Sequence, residues 1–121
     1  MKVTSRSLAL AKQYLGKELT VVFDRPLGSR HPKYGFVYKV NYGYVPGTQS
    51  SDGEALDVYY LGVDSPLQEA IGRCIAIIHR LDDDDDKLVV IPKTQADLSD
   101  AEIVKAINFV EQWFDYEILR K

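Results

Sequence analysis

Residues 52–58, Asp-Gly-Glu-Ala-Leu-Asp-Val, place three carboxylates directly ahead of the apolar run VYYLGV. A turn that opens a strand needs one Asp or Asn to bond its own backbone and a glycine for positive φ; a third carboxylate adds nothing. Surplus negative charge of this kind suits a cation. Gly53 can bend the chain between Asp52 and Glu54, and Asp57 falls on the strand face opposite Leu56, Val58 and Tyr60, so one turn could converge all three acids. Magnesium binds through one or two carboxylates and shares its remaining positions with water and a phosphate substrate. The twelve-residue loop of an EF-hand is absent, and so are the His pairs and thiolates of a zinc site. Taken by itself, the stretch also reads as a hairpin turn whose acids are solvated.

A second acidic segment, Asp82–Asp86, joins two apolar runs and is bracketed by Arg80 and Lys87. Alone it is a solvated loop. If both acidic loops face one rim, they form a negative cup with basic walls, suited to divalent cations plus a polyanion. Tyr38, Val40, Tyr42 and Tyr44 alternate along FVYKVNYGYV and share a face in an extended strand, as core filling or as the wall of a site. The preceding DRPLGSRHPKYG is an irregular loop that concentrates Arg25, Arg30, His31 and Lys33.

The elements that must position these groups are short. Leu8, Ala11, Lys12 and Leu15 predict an amphipathic helix over 5–15, with Ser5 as N-cap and Gly16 as stop. Strands are expected at 19–23, 36–45, 56–63, 72–81 and 87–92, which suggests a small barrel or sandwich. Ser99 and Glu102 stand at capping-box spacing, and Ile103, Ile107, Val110 and Phe114 continue a helix that covers one face.

The chain of 121 residues is expected to form one domain, 1–121, with one site. A net charge of −3 speaks against a nucleic-acid partner, whose backbone demands a basic surface. Cys74 is the only cysteine and lies in the apolar CIAII, so a buried thiol in a reducing cytoplasm is expected. No run approaches membrane-spanning length and no secretory leader is visible, so a soluble, unprocessed chain is expected.

NYGYVPGT, then DGEALDV, a Pro-Leu, the GRCIAII strand, the acidic loop and KLVVIP resemble, in order, the soluble family I inorganic pyrophosphatases. That family's signature runs Asp-Gly-Asp-Pro-Leu-Asp-Val, and the resemblance covers roughly residues 19–92. It implies a mainly β fold, an OB-like five-stranded barrel with N- and C-terminal helices. It also implies magnesium-dependent hydrolysis of pyrophosphate, with manganese as an alternative ion. By resemblance Asp52, Asp57, Asp82 and Asp85 are metal ligands, Asp57 bridging two ions, and Glu54 takes the place of a catalytic aspartate. Tyr38 and Tyr42 match tyrosines flanking the site, Lys33 and Lys87 match phosphate lysines, and Asp24 matches a peripheral acid. Gly35 replaces a glutamate, and the hairpin carrying a phosphate-binding arginine is missing, leaving Arg25 or Arg30 to substitute. Trp113 and Phe114 stand where the family has a phosphate-binding tyrosine-lysine pair. The implied partner is a small phosphate substrate, with a homo-oligomer expected. Two other functions compete: a non-catalytic or altered-specificity relative that binds a phosphorylated metabolite or metal, and an OB-type nucleic-acid module.

Overall fold

The computed structural model describes residues 6–49, 53–83 and 85–121, so the expectations for Ser5 and Asp52 lie outside the described residues. The elements are α1 (Arg6–Lys12), β1 (Glu18–Arg25), β2 (Asn41–Tyr44), β3 (Asp57–Tyr60), β4 (Glu69–Arg80), β5 (Lys87–Ile91), α2 (Asp100–Glu111) and β6 (Tyr116–Leu119). Strands run in the order β1-β2-β3-β5-β4, and antiparallel pairing of β1 with β4 closes the barrel. The β3–β5 pair is parallel; every other pairing is antiparallel.

Alternation along the strands sorts side chains into two apolar groups. Val21 and Phe23 of β1, Val58 and Tyr60 of β3, Cys74 of β4, and Leu88 and Val90 of β5 fill the interior, together with Leu8 and Ala11 of α1. The opposite faces of the same strands carry Tyr59, Ile78, Val89 and Ile91, covered by Ile103 and Ile107 of α2. The expected capping box is present: Ser99 Oγ accepts from the Glu102 amide, and the Glu102 carboxylate accepts from the Ser99 amide. Cys74 is fully buried, as expected. Gly43 sits where β2 crosses close to β1, and any side chain there would run into the Val22 carbonyl.

Two elements differ from expectation. The 36–45 strand is regular only over Asn41–Tyr44. Residues ahead of it fold back on the preceding loop: Tyr38 donates to the Ser29 carbonyl, Gly28 to that of Tyr38, and His31 to that of Phe36. Buried Asn41 marks the change. Its Oδ1 accepts from the amides of Leu27 and Leu67 while Nδ2 donates to the Ser65 carbonyl, tying two loops to the start of β2. The second difference is β6, which was not expected and pairs with β4 from Ile77 to Arg80 beyond the stretch used by β1. Twelve-residue β4 is therefore long enough to serve both strands along one edge.

Candidate active site

Because β3 and β5 are parallel, Asp57 and Lys87 are register partners at their N-terminal ends, and antiparallel β2 sets Tyr42 against Tyr59. Period-two alternation turns Asp57 and Tyr59 away from the barrel interior, toward α2, the opposite of Val58 and Tyr60. The Lys87 ammonium lies 5.1 Å from the centre of the Tyr42 ring and 5.3 Å from that of Tyr59. Burial pushes the Asp57 carboxyl up to about 6; Lys87 pulls it down, Asp85 pushes it up, a hydrogen bond from Tyr42 lowers it, and Asp24 raises it again. The Tyr42 hydroxyl is itself held well above its ordinary range by burial and by the Asp57 charge, so it stays protonated and donates.

Behind this group lies a buried ion network. Arg80 donates Nε and Nη2 to the two oxygens of Glu111, each at 2.9 Å, and Nη1 to Asp85 at 2.9 Å. Glu111 is fully buried at the end of α2 and also accepts from Tyr59 Oη at 2.6 Å and Lys87 Nζ at 3.4 Å. Burial alone would raise the Glu111 carboxyl, but the bonds from Arg80, the Lys87 charge and the Tyr59 hydroxyl together hold it below its ordinary value. The Phe114 ring covers the Arg80 guanidinium, 3.6 Å from ring centre to Cζ.

The folded-back 28–38 segment supplies aromatic rings. His31 stacks on Phe36 at 4.9 Å, and Tyr38 lies 5.3 Å from Tyr42. His31 Nδ1 accepts from the amides of Lys33 and Tyr34, which fixes the ring. A cavity of about 490 Å³ opens between this segment and the end of α2, with Tyr42, Arg80 and Lys87 at its base.

Of the residues expected at the site, Asp57, Tyr42, Tyr38, Lys87 and Asp85 are brought together. Arg25 joins them: its guanidinium partly offsets the burial that raises the Tyr38 phenol. Asp24 contributes charge to the same group. Arg30 instead donates to the Gly35 carbonyl at 3.2 Å, and Lys33 is exposed with its ammonium 5.3 Å from the Tyr34 ring centre. Glu54 is exposed on the loop before β3. The second acidic loop divides its charges. Asp85 and Asp83 face Arg80, Asp86 is buried against Ser7 and His79, and Asp82 is exposed. Glu111 is the site residue that sequence reading missed. Its signal was position: Ile103, Ile107 and Glu111 follow at steps of four, so the carboxylate belongs to the buried stripe of α2.

The donor chemistry suits a hard divalent cation. Asp57 offers carboxylate oxygen, and its elevated pKa reports charge repulsion with Asp85 and Asp24 as well as burial, which a cation would relieve. Among the described residues no three acidic, His or Cys side chains close around a single point.

A closed OB-like barrel flanked by helices is a known architecture. Inorganic pyrophosphatase from Helicobacter pylori has it, at a TM-score of 0.67 and 20% identity, covering 100% of this chain and 89% of that one. So does an inorganic pyrophosphatase from Neisseria gonorrhoeae, at a TM-score of 0.60 and 26% identity, covering 81% and 76% of the two chains. The family model for inorganic pyrophosphatase matches residues 11–120, and this chain belongs to that family. The inorganic pyrophosphatase of Neisseria meningitidis serogroup A is 32% identical over 116 residues, covering 71% of this chain and 64% of the relative. The chain spans between 39% and 64% of the length of the curated relatives it matches. Among the described residues no helix is long and apolar enough to cross a membrane.

Proposed function

We propose that the chain hydrolyses inorganic pyrophosphate to two phosphates with the help of a divalent cation, magnesium being the expected ion and manganese an alternative. Family membership frames this reading. The observation that carries it is the Asp57–Tyr42–Lys87 group, in which a desolvated carboxylate lies beside a protonated phenol and an ammonium. Asp57, with Asp52 five positions earlier in the sequence, would hold the cation, which when bound would acidify a water ligand and neutralise phosphate charge.

The chain's own groups then have distinct work. Tyr42 donates to Asp57 and keeps that carboxylate oriented. Lys87, propped between two aromatic rings and Glu111, presents an ammonium to phosphoryl oxygens, and Arg25 beside Tyr38 adds a second cation on the same side. Glu54, three positions ahead of Asp57, supplies a carboxylate to take the proton that the attacking water loses. Arg80 is committed to Glu111 and Asp85, so it fixes the floor of the site. Phosphate release from pyrophosphate, measured with magnesium and with manganese, is the direct test. Release that persists unchanged in Asp57→Asn would refute the assignment.

A further inference from the structure

The cavity beside Lys87 is larger and more aromatic than a small, highly charged anion requires. At about 490 Å³ it falls within the range of sites that enclose drug-sized ligands, roughly 300–1,000 Å³. Only its base is cationic, at Lys87 and Arg80. The remainder is ring and hydrocarbon: His31, Tyr34 and Phe36 from the folded-back segment, Phe109, Trp113 and Phe114 from α2 and the turn after it. A diphosphate gains nothing from such walls, whereas a planar ring gains stacking.

The outer edge of the cavity adds an independent sign. Tyr34 and Trp113 both line it, yet they are 70% and 78% exposed, the two most exposed large apolar side chains among the described residues. One comes from the segment before β2 and the other from the turn after α2, so two separate parts of the chain offer ring faces to the same opening. Deeper in, the walls are already arranged as flat surfaces. His31 and Phe36 stack at 4.9 Å with planes 27° apart, and the Phe114 ring centre lies 3.6 Å from Arg80 Cζ.

We propose that this cavity binds the base of a nucleoside diphosphate, with its diphosphate directed at Lys87 and the base held between the Tyr34 and Trp113 walls. The proposal rests on the reading of the Asp57–Lys87 group as a diphosphate site and names a larger ligand class for it. The geometry accounts for each part of the ligand: the Lys87 ammonium for the phosphoryl oxygens, and aromatic walls for the ring.

The test compares two uncleavable ligands by calorimetry in magnesium, α,β-methylene-ADP and methylenediphosphonate, which share the phosphonate group and differ in the nucleoside. The nucleotide analogue is expected to bind roughly tenfold or more tightly, the range that base stacking on aromatic side chains provides. Trp113→Ala and Tyr34→Ala should each shrink that ratio, and the double variant should bring it within about twofold. Both residues are exposed, so neither change empties the core. Equal affinities in the parent, or a ratio unmoved by the double variant, would overturn the proposal, and so would failure of both ligands to bind. Pyrophosphate hydrolysis is followed on the same preparations. Phosphate release without a nucleotide preference refutes the base site alone, and a preference without phosphate release supports the base site while refuting the hydrolytic reading.

Discussion

Replacing Asp57 with Asn should stabilise the metal-free protein while it abolishes hydrolysis, and the size of the first effect follows from the environment of the carboxylate. Its pKa is pushed from 3.8 to about 6 in the folded state by burial, against Lys87 and together with Asp85. A group whose folded pKa lies above its unfolded value contributes stability that is complete below the unfolded pKa and is lost as pH rises through the folded one. For Asp57 that window runs from about pH 4 to about pH 6. At about 1.4 kcal/mol per pH unit, the ionised carboxylate costs the metal-free fold roughly 3 kcal/mol at pH 8. Asn is close in shape to the protonated acid and still accepts from the Tyr42 hydroxyl, so it escapes that cost. In chelator, calorimetric melting should therefore place Asp57→Asn above the parent on the order of 10 °C at pH 8, and level with it at pH 4. Saturating magnesium should reverse the order, because the parent alone gains the binding free energy. If the variant melts no higher than the parent at pH 8 in chelator, the carboxylate is not held at a desolvation cost and the reasoning fails.

The melting shift that magnesium gives the parent should grow from pH 5 to pH 8, since the cation competes with protons for Asp57 and Asp85; a shift independent of pH would refute this. Tyr42→Phe removes a bond that lowers the Asp57 pKa, so the acid limb of the rate profile should move to higher pH and kcat/KM should fall roughly tenfold or more, as steady-state kinetics would show. Arg80→Leu leaves the Glu111 carboxylate buried with only Tyr59 and Lys87, and urea titration should show a loss of about 3–5 kcal/mol. Adding Glu111→Leu to that variant should recover much of the loss, because both buried charges are then gone.

The strands were legible where apolar residues alternate or run together, as in β1, β4 and β5. Two boundaries were not. Tyr38 belongs to an alternating pattern, but its amide is used by Ser29 in a local fold-back, a choice between partners that no periodicity records. Tyr116–Leu119 lies beyond the expected helix and in no expected element; its four residues become a strand because β4 extends far enough to offer them an edge. At the site, Asp57, Tyr42 and Lys87 stood out because they fall in motifs that resemble the family's, and the strand register that converges them came only with the structure. The Arg80–Glu111 fork was hidden by its tertiary origin, since it joins the end of β4 to the end of α2. An acid on the apolar stripe of a helix signals a hidden partner, but does not say which cation provides it.

The way the barrel closes also sets when the site comes into being during folding. Its seam joins Val21 of β1 to Ala70 of β4, roughly 50 residues apart in the chain. The parallel pair that unites Asp57 with Lys87 joins strands separated in sequence by the whole of β4, which lies on the far side of β5. Long-range pairings of this kind form late and slowly compared with local hairpins. A chain emerging during synthesis therefore exposes its acidic turn and its aromatic segment well before Lys87 arrives to complete the group. On the proposed reading, the group that would hold a diphosphate is completed only when β3 and β5 pair.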